Sequence, residues 1–336
     1  MTTRWEDLNA RARGLGTRLL TPPELDGLAR LPDVAELAAA LRGRGYPLSE
    51  GESSPLALEL ATRRVAAERL RVLQRWCGSR ADTLAVIFED EDRRTLRAMI
   101  RGAVEGAPHD LRPAAVIPTP ALPERAITTL AAQKTPAAIA ALLVAWRNPY
   151  GSPLLGPASA SQPDLFKLEQ VVNRTFAERA TRAARKTPAL AAYVREVIDL
   201  ENAFTAVVLA SEGKDITFKD VFLPGGRRVS IGTFERAAAT GDAAAAARQL
   251  SNAFSGSPLA SAFSRSSLDP ATLERTVLHA RITAAARARR SQPLSPAPLL
   301  WYALRLRAET VDLRRIIWGL AFGAPADALV HEMATA

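Results

Sequence analysis

Asp92-Arg-Arg-Thr-Leu-Arg-Ala-Met-Ile-Arg-Gly102-Ala-Val-Glu-Gly106, Asp199-Leu-Glu-Asn-Ala-Phe-Thr-Ala-Val-Val-Leu209-Ala-Ser-Glu-Gly213 and Glu309-Thr-Val-Asp-Leu-Arg-Arg-Ile-Ile-Trp-Gly319-Leu-Ala-Phe-Gly323 align without a gap. Each places an acid fourteen residues before a glycine. Polar Thr95, Asn202 and Asp312 follow the acid by three residues, and apolar Ile100, Val207 and Ile317 follow it by eight. The three- and four-residue spacing of apolar positions predicts a helix, and the glycine suits a left-handed C-cap. Three copies of one helix imply a chain built by repetition.

Working outward, Leu58-Glu59, Leu168-Glu169 and Leu273-Glu274 open a further helix upstream of each acid. Before those lie amphipathic openings: Leu28 to Leu41 and Tyr46, Leu130 to Leu143 and Tyr150, Phe234 to Leu250 and Phe254. The chain of 336 residues therefore divides into three similar units, 1–117, 118–224 and 225–336. Each unit is expected to hold a short helical pair, a long helix and a return helix. Reuse of one unit-to-unit interface favours a pseudo-threefold funnel, with an open solenoid as the alternative.

Local signals agree on an all-α fold. Alanine, leucine and arginine dominate and favour helix, and Leu20, Leu25, Leu28, Leu31, Val34, Leu37 and Leu41 trace one apolar stripe. Val221-Phe222-Leu223 is the single short strand candidate. Thr21-Pro22-Pro23-Glu24, Gln162-Pro163-Asp164 and Asp269-Pro270 read as helix starts. Lys186-Thr187-Pro188 interrupts a long helical segment running from Leu165 to Leu209. Asn148 to Pro163 and Pro293 to Pro298 read as connections.

Composition excludes several chemistries. One cysteine, Cys77, leaves no disulfide framework and no multi-cysteine metal site. His109, His279 and His331 never fall at the four-residue spacing of a helical metal pair. The longest apolar run, Ala137 to Trp146, is half of what a bilayer span needs, and the start lacks the basic flank and apolar core of a leader. A cytoplasmic protein without cofactor or metal is expected.

Charge is uneven. The net charge is +9, of which the final third carries +6. The densest basic stretch holds Arg281, Arg287, Arg289 and Arg290. Its ordinary reading is a solvated helix face, and its functional reading is contact with an acidic partner or lipid headgroups. Nucleic acid fits poorly, because no aromatic residues interleave with these arginines for stacking.

Two strings invite an enzymatic reading. Phe88-Glu-Asp-Glu-Asp-Arg-Arg94 resembles a magnesium-diphosphate cluster, which gives an all-α diphosphate-binding enzyme using residues 89–92 as an alternative. Asp92, however, already belongs to the repeat, and no second acid-rich cluster accompanies Asp199 or Glu309. Leu223-Pro-Gly-Gly-Arg-Arg228 could cradle a phosphate, but it lacks the P-loop lysine and hydroxyl and reads as a turn between units. Trp301, Tyr302, Trp318, His279 and Cys77 read as core or boundary residues. A helical adaptor is the remaining alternative.

The opening Leu8-Asn-Ala-Arg-Ala-Arg13, continuing through Arg18-Leu-Leu-Thr21 and Glu24-Leu25 to Leu41 and Tyr46, resembles the N-terminal signature of the C subunits of V-type and A-type ATP synthases, the rotary ATPases, whose eukaryotic relative is the V-ATPase d subunit. The three acid-to-glycine helices resemble that family's repeated helix, although its usual asparagine stands only as Asn202. The resemblance implies a non-catalytic, all-α coupling protein on the cytoplasmic face of the membrane. Its partners would be the central-stalk subunits and the proteolipid rotor ring, between which it passes torque. The repeat helices, including Arg97, Asn202 and Arg314, are then expected to border the socket that receives the stalk, and Arg287, Arg289 and Arg290 to face an anionic neighbour.

Overall fold

A computed structural model describes residues 4–113, 116–212, 217–264 and 270–335. Among them there is no strand, and the backbone is carried by seventeen α-helices. In chain order these are α1 (Glu6–Gly16), α2 (Pro22–Ala29), α3 (Val34–Gly43), α4 (Pro55–Arg75), α5 (Ala81–Val104), α6 (Glu124–Ala131), α7 (Pro136–Ala145), α8 (Gly151–Ala158) and α9 (Leu165–Ala184). There follow α10 (Pro188–Glu212), α11 (Phe218–Val221), α12 (Ile231–Ala238), α13 (Ala243–Ala253), α14 (Leu259–Ser264), α15 (Pro270–Ser291), α16 (Ala297–Ala321) and α17 (Ala326–His331).

The boundaries follow from local chemistry. Glu24 Oε2 reaches back to the Thr21 N–H at 2.8 Å, which closes a capping box at the start of α2. Asp164 caps α9 by accepting from the Lys167 N–H, whereas Asp269 lies outside the described residues. Pro188 separates α9 from α10, as the missing N–H and ring clash require. Gly106 and Gly323 end their helices at φ 68° and 69°. Ala107 and Ala324 then donate to Gly102 O and Gly319 O at 2.9 and 2.8 Å, the 6→1 bond of a Schellman turn. Gly213, the third repeat glycine, lies outside the described residues.

Two expectations fail locally. Val221 ends the short helix α11 instead of opening a strand, because Leu223 gives its backbone N–H and carbonyl to a side chain and not to a sheet. The connection from Asn148 to Pro163 contains α8, which buries Leu154 and Ala158 despite its prolines.

Contacts divide the described residues into two compact units. In the first, formed by residues 4–79, 256–262 and 270–335, α16 packs on α2, α3 and α4, on α1 at its N-terminal side, and along α15. Leu25, Leu28, Leu37 and Leu41 of the apolar stripe meet Leu313, Ile316 and Ile317 of α16 in one core. In the second unit α5 packs on α6, α7 and α9, and α10 packs on α9, α12 and α13.

A common rule emerges. Each return helix carries the short helical pair that comes next in the chain: α5 carries α6 and α7, and α10 carries α12 and α13. For α16 no pair follows, and it carries α2 and α3 from the chain's beginning. Packing is therefore offset by one helix from the units 1–117, 118–224 and 225–336 expected from the sequence.

Candidate functional site

The repeat acids do the work of holding each short pair in place. Glu309 accepts from the Leu20 N–H at 2.5 Å, and Leu20 precedes Thr21, the N-cap of α2. Asp199 accepts from the backbone N–H groups of Arg227, Arg228 and Val229 at 3.0 Å, and Val229 precedes Ser230, the N-cap of α12. Asp92 accepts from the Thr119 hydroxyl, whose oxygen takes the Leu122 N–H at 3.1 Å just before the N-cap Pro123 of α6. All three acids are buried.

The loop Leu223 to Arg228 therefore does cradle an anion, and the anion is the protein's own Asp199. Successive backbone N–H groups form a concavity for negative charge. Gly226 is required there, because a Cβ would run into the Asp199 carboxylate.

Three residues further on, the polar position grips the chain again. Asn202 donates to Leu223 O at 2.9 Å and accepts from Leu223 N at 2.8 Å. Asp312 accepts from the N–H groups of Ala334 and Thr335 and from the Thr335 hydroxyl, at 2.8, 3.1 and 2.7 Å. Burial pushes the Asp312 carboxyl up, opposed by those donors. Thr95, the third equivalent, is buried and its hydroxyl has no hydrogen-bond partner among the described residues.

A Tyr-Glu-Arg cluster occurs twice. Tyr46 and Arg69 both bond Glu309, and Tyr150 and Arg179 both bond Glu89. Arg69 and Arg179 each stand eleven residues after the anchors Leu58 and Leu168. That register was available in the sequence as a signal for these arginines. In the third copy the same positions hold Ala284 and Phe254, and Phe254 stacks on Phe263 at a 4.9 Å centroid distance. Burial raises Glu309 and Arg69 opposes it. Tyr46 is raised by burial and then by the Glu309 charge.

Ion pairs join the return helices to the long helices. Arg97 meets Glu169 at 3.1 Å and Glu201 at 3.0 Å, and Arg101 meets Glu169 at 2.6 Å. At equivalent positions Arg314 lies 3.3 Å from Glu59, and Trp318 Nε1 donates to Glu59 at 2.7 Å. Arg93, wholly buried, bridges Asp90 at 2.9 Å, Glu201 at 2.6 Å and Asn173 at 2.9 Å. Burial pushes Glu201 up, and the Arg93 and Arg97 charges reverse this to hold it at about 2.

The sequence-derived site residues thus fall in different places. Arg97 and Arg314 are equivalent, part-exposed and paired with glutamates on neighbouring helices. Asn202 is fully buried and spends its amide on Leu223. Arg287, Arg289 and Arg290 lie at the end of α15 and form no ion pair among the described residues. The acids at 89–92 do not stand open for a diphosphate. Glu89 is taken by Arg179 and Tyr150, Asp90 by Arg93, Arg94 and Tyr193, and Asp92 by Thr119. Among the described residues no group of His, Cys, Asp and Glu is arranged to hold a metal ion. Cys77 is buried, with its thiol on Leu73 O.

The sequence profile of the ATP synthase (C/AC39) subunit family matches residues 8–331. The chain belongs to the ATP synthase (C/AC39) subunit family. No curated protein sequence matches it. For a member of a rotary ATPase subunit family the geometry is apt. Its charged and polar residues hold helices to one another, and none of its described helices is long and apolar enough to cross a membrane.

Proposed function

We propose that this C/AC39 protein is the non-catalytic coupling part of a V/A-type rotary ATPase, standing on the cytoplasmic side between the central stalk and the membrane rotor ring and transmitting torque between them. The observation that carries this reading is the family match over 8–331 combined with the recurring polar joints. A part that transmits torque must resist shear between helices, and each return helix is fastened to a short pair by a buried carboxylate and to a long helix by packing. On this reading the chain is a pseudo-threefold funnel over 1–117, 118–224 and 225–336, with the repeat helices that carry Arg97, Asn202 and Arg314 bordering the socket.

The test is reconstitution. Membranes stripped of this protein should lose coupling between ATP hydrolysis and ion transport and regain it when the chain is added back, with stalk and ring proteins co-purifying. Full coupling without it, or failure to bind either neighbour at low salt, would overturn the reading.

A further inference from the structure

Between Glu274 and Glu309 the chain contains seven arginines and no acidic residue, and between Asp7 and Glu24 it contains three arginines and no acidic residue. Within the first compact unit these two stretches come together. Arg13 lies in the last turn of α1, and Arg289 and Arg290 lie in the last turn of α15. The Arg289 guanidinium stacks 3.6 Å from the centre of the Trp301 ring, and Gly16 of α1 backs onto the same indole, where an added Cβ would lie 3.1 Å from the ring edge. Burial, then Arg290 and Arg13, push Arg289 below the usual arginine range, and no carboxylate opposes them. Arg13, Arg287 and Arg290 are exposed, and with Arg289 they form no ion pair among the described residues.

The turn directly after α15, four residues beyond Arg290, presents an apolar tip next to this charge. Leu294 is 67% exposed. It is held out by the buried Asn9, whose Nδ2 donates to Pro293 O at 3.0 Å and to Ser295 O at 2.9 Å, one carbonyl on each side of the leucine. A buried amide that fixes the residues flanking an exposed leucine sets the position of that leucine. Protein interfaces of standard size bury a contiguous apolar centre. Here one aliphatic tip follows a helix end whose arginines, with Arg13 of α1, form no ion pairs among the described residues, the composition of a surface that seats on lipid headgroups and inserts a single residue.

We propose that Arg13, Arg287, Arg289 and Arg290, together with Leu294 in the adjoining turn, form a docking site for an anionic phospholipid surface. The arginines would pair with headgroup phosphates while Leu294 enters the acyl boundary. The proposal extends the rotary-coupling reading by giving this face a bilayer neighbour, and it is tested on the isolated full chain without stalk or ring.

Co-sedimentation with phosphatidylcholine vesicles, with and without phosphatidylglycerol, is the experiment. Binding is expected only with phosphatidylglycerol and should weaken as salt rises. Each of Arg287→Gln and Arg290→Gln, at exposed positions, should lower the partition coefficient about fivefold, and Leu294→Ser about tenfold, with unchanged circular dichroism and melting. Leu294→Cys carrying a polarity-sensitive dye should blue-shift on anionic vesicles, Cys77 being buried. No binding to phosphatidylglycerol vesicles at low salt, binding that ignores these substitutions, or binding to polyglutamate but not to vesicles would overturn it. Loss of coupling in the assembled ATPase reports on the functional reading, so the two failures are distinguishable.

Discussion

Asn202 holds Leu223 by both ends of its amide, donating to the carbonyl at 2.9 Å and accepting from the N–H at 2.8 Å. The pair is fully buried, so water cannot replace either bond. Asn202→Ala should destabilise the second unit by about 2–4 kcal/mol, two buried groups being stranded at once. Denaturant unfolding checks the magnitude, and hydrogen exchange at the Leu223 amide checks the cause. An unchanged exchange rate would contradict the clamp.

The fold was largely legible. The acid-to-glycine repeats pointed to the return helices α5, α10 and α16 because their spacing is local and helical. The offset between repeat and packing was not legible, since no local pattern says that Glu309 will hold Leu20 nearly the full chain length away. The Leu223 to Arg228 stretch reads from sequence as a turn between units, and only the structure reveals that its backbone binds an anion and that Asp199 supplies it. Asp90 and Glu89 resembled metal ligands because sequence shows their charge and hides their partners Arg93 and Arg179.

Arg69→Leu should cost about 3–5 kcal/mol, because the buried Glu309 carboxylate loses its cation while remaining in place. Burial already raises Glu309, and without Arg69 it rises further. Stability of the variant should therefore fall as pH rises from the unfolded glutamate value, where the folded form still retains the proton. Adding Glu309→Gln should recover much of the loss and flatten that slope. A double variant as unstable as Arg69→Leu alone would show that packing, and not charge, is what Arg69 supplies.

The equivalent pairs Arg97–Glu169 and Arg314–Glu59 differ in exposure, and their energies should differ accordingly. The arginine side chain is 27% exposed in the first and 44% in the second. Double-mutant cycles with Arg→Met and Glu→Gln should give about 1 kcal/mol of coupling at Arg97–Glu169 and about half that or less at Arg314–Glu59. Raising the salt should shrink both. Equal couplings would mean that exposure does not govern these joints.

Asp92 and Glu201 predict opposite responses to pH within one unit. Glu201 is held at about 2 once Arg93 and Arg97 overcome its burial, so its contribution is present above the ordinary glutamate value and is lost as pH falls toward 2. Among the described residues no cation pairs with Asp92. Burial raises it from 3.8 to about 7, with the Thr119 hydroxyl opposing and the charges of Glu89 and Glu91 reinforcing. Between those values the folded chain keeps a proton that the unfolded chain releases, so stability declines as pH rises from about 4 to about 7. Asp92→Asn does not titrate and retains an oxygen for Thr119. It should match the parent near pH 4 and exceed it at pH 8 by about 4 kcal/mol. Thermal melts of both proteins across this range give the measurement, and a difference that does not vary with pH would show that Asp92 stays ionised in the fold.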